Sequence, residues 1–154
     1  MQIQFKRLYK QEDFPLLLLC DYPTYQTEGS AGVDLRAMIP NAVQLQPGES
    51  MAISSGLAAH IANPRHFGLL TLRSSIGIRG LALVNGVGII DSDYQGPITI
   101  VVRNTTSAPI MINSGERIAQ LLIMPVTQAT FIQTDYFEAN TVRGAGGFGS
   151  TGTN

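Results

Sequence analysis

"GVGIIDSDYQG", residues 86–96, lies between two apolar runs, Leu81 to Val84 and Ile98 to Val102. The flanks read as strands, and the middle holds two aspartates and a tyrosine. Such a stretch is either a plain hairpin turn or a pocket that holds a small polar ligand beside a base. The rest of the chain repeats the flanking pattern. "VQL", "AIS", "LLTL", "ALV", "ITIVV" and "IMI" are short segments rich in β-branched residues. Between them fall 16 glycines and 8 prolines, a spacing that long helices do not tolerate. Short strands with frequent turns predict an all-β domain, sandwich or barrel. The longest stretch free of Gly and Pro is 126–143, and within it "ATFIQ" reads as a strand.

The bulk composition narrows the partners. A chain of 154 residues is long enough for one domain with a real core. Its net charge of −1 gives no global field to attract nucleic acid or an anionic membrane. Charged residues make up only 14%, against about 25% in an average soluble domain. So little charge predicts that much of the surface is covered in an oligomer. Cys20 is the only cysteine, so no internal disulfide and no oxidising compartment is needed. The run "LLLLC", Leu16 to Cys20, is far short of the roughly 20 residues that span a bilayer. A soluble, intracellular, cytoplasmic protein is the simplest expectation. From Arg143 the chain reads "RGAGGFGSTGTN", in which one Phe is the only large apolar side chain. That composition does not offset the entropy of ordering it. It predicts a β domain over 1–142 and a flexible arm over 143–154.

Four further segments carry polar chemistry. In "LRSSIGIRG", residues 72–80, Arg73 can fork onto phosphate oxygens, and Ser74 and Ser75 add hydroxyls. Alone, this also fits a polar loop between strands. In "AGVDLRA", Asp34 faces away from Val33 and Leu35 if the segment is a strand. In "GERIAQLLIMPV", residues 115–126, Gln120 is the polar residue inside an apolar run, and a buried amide must find partners. The arm supplies a guanidinium, amides and hydroxyls. His60 and His66 are the only histidines, which makes a protein-built zinc site a poor fit.

Each segment is weak alone, but their order is not. "AGVDLRA", "RSSIG", "NGVGIIDSDYQG", "GERIAQ" and "RGAGGFGSTG" resemble, in sequence order, the five signature motifs of the trimeric deoxyuridine triphosphatases. The resemblance runs from about Thr27 to Gly152. It implies a distorted jelly-roll or β-barrel fold, a homotrimer whose sites draw motifs from all three chains, and hydrolysis of dUTP to dUMP and pyrophosphate. It implies a hairpin over 85–94 that receives deoxyuridine, with Asn85, Gly88, Ile89 and Ile90 around the base and Tyr94 under the sugar. Thr99 is implied in substrate binding as well, and Asp93 is left as a turn-former. Asp91 is implied as the carboxylate that orients the attacking water. Arg73, Ser74, Ser75, Gln120 and Arg143 are implied around the phosphates, with Phe148 and Gly149 of the arm closing over the site. Mg²⁺ is the implied cofactor, held mainly by the triphosphate, with Asp34 and Gln120 reaching it only through water.

The chain departs from the family at three places. Leu72-Arg73-Ser74-Ser75 stands where Pro-Arg-Ser-Gly is common, the loop from Arg73 to Asn85 is shorter than in many members, and the segment before the first motif is longer than usual. The related dCTP deaminases often carry Arg-Ser-Ser, but their deamination relies on a glutamate after the hairpin. That position falls at Val101, with no acid between Gly96 and Asn104. Valine cannot shuttle protons, so deamination ranks below dUTP hydrolysis. A non-catalytic relative is the third possibility. The presence of Asp91, Tyr94 and the arm argues against it.

Overall fold

The computed structural model describes residues 1–10, 12, 23–139 and 141–147. "LLLLC" with Cys20, and Phe148 and Gly149 of the arm, lie outside the described residues. In order, the elements are β1 (Gln4–Arg7), β2 (Val33–Arg36), β3 (Val43–Leu45), β4 (Ser50–His60), β5 (His66–Leu72), α1 (Ser74–Ile78), β6 (Leu81–Leu83), β7 (Gly88–Ile90), β8 (Pro97–Asn104), β9 (Ile110–Ile112) and β10 (Arg117–Pro125). The all-β expectation holds. Among the described residues no helix is long and apolar enough to cross a membrane.

Two four-stranded sheets carry the fold, in the orders β1-β4-β8-β6 and β2-β10-β5-β7, with β3 and β9 forming a separate ribbon. All pairings are antiparallel. From β4 to β8 successive strands alternate between the two sheets, the crossing pattern of a jelly roll.

Strict alternation builds the core. In β8, Ile98, Ile100, Val102 and Asn104 are buried, while Thr99 and Arg103 face out. Leu35 of β2, Ile53 of β4, Leu70 of β5, Ile112 of β9 and Ile118 of β10 join them in one cluster between the sheets. Each such aliphatic side chain contributes about 1.5–3 kcal/mol by leaving water.

Three local expectations need correction. "ATFIQ" forms no strand: residues 126–134 have no regular structure, and Phe131 and Ile132 are 95% and 85% exposed. A strand needs a ladder partner, and neither sheet of this chain offers one there. The segment over 85–94 is not a self-paired hairpin. β6 pairs with β8 and β7 pairs with β5, so the turn between them passes from one sheet to the other. The Arg-Ser-Ser stretch is not an open loop either. Ser74–Ile78 form one helical turn, with Arg73 in extended conformation as its N-cap residue.

Candidate active site

The outer face of the β2-β10-β5-β7 sheet carries a polar row. Asp34 of β2 stands opposite Gln120 of β10, and Gln120 stands opposite Thr71 of β5. Residues directly opposite in a ladder share a face, so carboxylate, amide and hydroxyl lie side by side. Arg73 and Arg117 converge on the Asp34 end of this row. Arg73 Nε lies 3.1 Å from Asp34 Oδ1, and Arg117 Nη1 donates to Asp34 Oδ2 at 3.0 Å. Asp34 therefore carries a guanidinium on each oxygen, where sequence reading expected an approach to metal through water. Among the described residues the Gln120 amide has no hydrogen-bond partner of its own. Ser74 and Ser75 follow Arg73 directly and are exposed in the first turn of α1.

A second group sits at the far end of β5. There β7 is the last strand of its sheet, so among the described residues one side of its backbone faces no further strand. Gly88 is buried, Ile90 is half-buried and Ile89 is 57% exposed. Asn85 is exposed in the turn before β7, beside the exposed Val84 and Val87. After β7 the chain turns at once: the Tyr94 amide donates to the Asp91 carbonyl at 3.2 Å. Asp93 lies inside that turn, as expected. The Tyr94 hydroxyl donates to the Pro97 carbonyl at 3.0 Å. The ring lies against Gly96, where a Cβ would meet it at 2.4–2.9 Å. Asp91 is exposed and borders a groove with His60, His66, Asp93 and Gln128. The His66 Nδ1 in that groove is buried with no hydrogen-bond partner among the described residues.

The structure thus gathers the expected residues into two groups, not one. Ile90 stands opposite Gly68, which places Asp91 beside Phe67 at one end of β5 while Arg73 leaves the other end. The six residue steps from Phe67 to Arg73 amount to about 20 Å of strand. Thr99 is exposed on β8, in the opposite sheet, opposite Ser54. Arg143 lies in an exposed turn, where its Nε donates to the Gly146 carbonyl at 3.0 Å.

Sequence reading missed three contributors. Arg117 pairs with Asp34. Arg79, one residue past α1, forms an ion pair with Glu116 and donates to the Met111 carbonyl, tying α1 to the turn before β10. Gly96 gives Tyr94 its seat. The signal for Arg117 was available, because it directly precedes the apolar run that Gln120 interrupts. Among the described residues no group of three or more His, Cys, Asp or Glu side chains is arranged to hold a metal ion.

This is the jelly-roll-like β fold of solved dUTPases. The dUTPase of Staphylococcus bacteriophage 80alpha, solved with dUPNHPP, superimposes with a TM-score of 0.79 over 99% of both chains at 27% identity. The chain is also similar to the deoxyuridine 5'-triphosphate nucleotidohydrolase of Neisseria meningitidis serogroup B, at 47% identity over 85% of this chain and 87% of that protein. The Haemophilus influenzae protein of the same name is 47% identical over 91% of this chain and 89% of that one. The dUTPase family model matches residues 20–152, and the chain belongs to that family.

Proposed function

We propose that this chain hydrolyses dUTP to dUMP and pyrophosphate, with Asp91 as the residue that presents the attacking water. Asp91 is exposed directly after the free-edged strand β7, in the turn that also carries Tyr94. That arrangement is the observation that carries the reading. A free strand edge offers N–H and C=O groups to the edge of a base, as it would to another strand. A base read by Gly88, Ile89 and Ile90 and by the Asn85 amide puts its sugar toward Tyr94 and its α-phosphate toward Asp91. The carboxylate takes a proton from water as the oxygen attacks the α-phosphorus in line. The bond to the bridging oxygen breaks and its electron pair leaves on pyrophosphate. An ordinary aspartate is a weak base, so holding the water in line is its main contribution.

Charge on the leaving phosphates needs donors. Arg73 and Gln120 supply them from the sheet face, Ser74 and Ser75 from α1, and Arg143 from the arm. Thr99 contributes to substrate binding from β8. Mg²⁺ fits as an ion carried by the triphosphate and its waters, because the described residues offer no cluster of carboxylates or imidazoles to cage it. When bound it screens phosphate charge. The product dUMP is the precursor of dTMP, and removing dUTP keeps uracil out of DNA.

The 20 Å scale of separation along β5 favours a homotrimer, in which Asp91 of one copy works with the Arg73 face of another. The exposed segment over 126–139, with Phe131, Ile132, Tyr136 and Phe137 uncovered, supports the same reading.

The test is product analysis with Mg²⁺ and, separately, dUTP, dCTP, dTTP and UTP. dUMP and pyrophosphate from dUTP alone are expected. Uracil nucleotides from dCTP would overturn the reading in favour of deamination. Asp91→Asn should retain assembly and nucleotide binding while turnover falls about 10²–10⁴-fold. Near-normal turnover in that variant would remove Asp91 from its role.

A further inference from the structure

We infer that Arg117 is a positioning residue that acts through Asp34 to keep the outer end of the Arg73 guanidinium open for phosphate. The inference builds on the phosphate-side role given to Arg73 above.

Strand alternation alone would bury Arg117. It has the same parity as Ala119 and Leu121, whose side chains face the core. A bulge in β10 prevents this. Arg117 stands opposite Arg36 and Ala119 opposite Leu35, so Ile118 is an extra residue without a partner. Ile118 and Ala119 then both point inward, each 0% exposed, and Arg117 emerges on the face of Arg36 and Asp34. Re-aiming one side chain is what a bulge does. The turn before it is braced by Arg36, whose Nη1 donates to the Gly115 carbonyl at 2.8 Å, and by Arg79 on Glu116.

The consequence lies in how Asp34 divides its oxygens. Arginine commonly grips a carboxylate with two parallel N–H groups. Here Arg117 holds Oδ2, and Arg73 meets Oδ1 through Nε. With the second oxygen taken, Arg73 is anchored at its inner nitrogen and both Nη groups stay available. The Asp34 side chain is only 14% exposed, against 32% for Arg73, so the anchor is inside and the free end outside. Without Arg117, the free Oδ2 would draw an Arg73 Nη into a two-point grip and turn the guanidinium away from phosphate.

Calorimetric binding of inorganic tripolyphosphate tests this without turnover. Arg117→Met should weaken tripolyphosphate binding about tenfold, the scale of one charge-assisted hydrogen bond. The melting temperature should stay within a few degrees. Arg117→Lys should restore most of the affinity, because one N–H on Oδ2 suffices. In an Asp34→Asn background, Arg117→Met should cost little more, since residues acting in series are not additive. Unchanged affinity in Arg117→Met, additive losses in the double variant, or wild-type chain that binds no tripolyphosphate would each overturn the inference. So would an unchanged tripolyphosphate affinity paired with a raised Mg²⁺ requirement for hydrolysis, which would put Asp34 on the metal's water shell. If the chain binds tripolyphosphate as described but leaves dUTP intact, the proposed function fails and the Arg117 relay stands.

Discussion

Tyr94 owes its seat to the side chain that Gly96 lacks. The ring lies where a Cβ on Gly96 would sit, and the hydroxyl reaches the Pro97 carbonyl from there. A methyl group at this position costs the fold little, because Tyr94 is 41% exposed and its ring can swing outward. With Tyr94 under the sugar, as proposed above, it displaces the ring that would exclude a ribose 2′-hydroxyl. Gly96→Ala should therefore leave the melting temperature nearly unchanged and raise UTP turnover relative to dUTP by about tenfold, the scale of one lost steric contact. Measuring kcat/KM for both nucleotides decides it. An unchanged ratio would mean that Tyr94 does not judge the sugar. Ser75 makes the converse point. It stands where the family commonly has glycine, yet it is exposed in the first turn of α1, where a side chain has room.

Elements were legible where one chain supplies their partners. β8 alternates cleanly, and "VQL", "LLTL" and "IMI" form strands where β-branched residues sit between turns. "ATFIQ" has the same composition and forms none, because composition reports a willingness to pair and not the presence of a neighbour. The β10 bulge is invisible to periodicity: nothing in "GERIAQ" announces that one residue will be left unpaired. The end of β8 shows what a buried polar residue does in place of packing. Asn104 is 0% exposed; its amide donates to Leu45 at 3.0 Å and Ala108 at 2.8 Å, and its carbonyl accepts from the Thr106 amide at 2.9 Å. It thereby fastens the turn after β8 to the end of β3. Asn104→Ala strands these groups and should cost about 3 kcal/mol, or roughly 6–12 °C of melting temperature for a chain of this size. A scanning melt of the variant checks it. A fall of less than about 2 °C would mean that water takes over the carbonyls.

At the scale of the molecule, the sequence disclosed which residues matter better than where they meet. The ordered motifs name Asp34, Arg73, Asp91 and Gln120, and the structure brings Asp34, Arg73 and Gln120 to one sheet face. It sets Asp91 at the opposite end of β5. That split is unreadable from motif order, because order along a chain carries no distance. It also yields a sharp test of assembly. Asp91→Asn and Arg73→Ala chains are each expected to be inactive alone. If every site takes Asp91 from one copy and Arg73 from the next around a threefold ring, each mixed trimer keeps one site with both residues intact. Random mixing after partial denaturation and refolding makes about three quarters of the trimers mixed, so about a quarter of wild-type turnover should return. If each site were built within one chain, every site in every mixture would lack one of the two residues and no turnover would return. Recovery near a quarter, measured as pyrophosphate release, would therefore show that each site takes Asp91 and Arg73 from different copies.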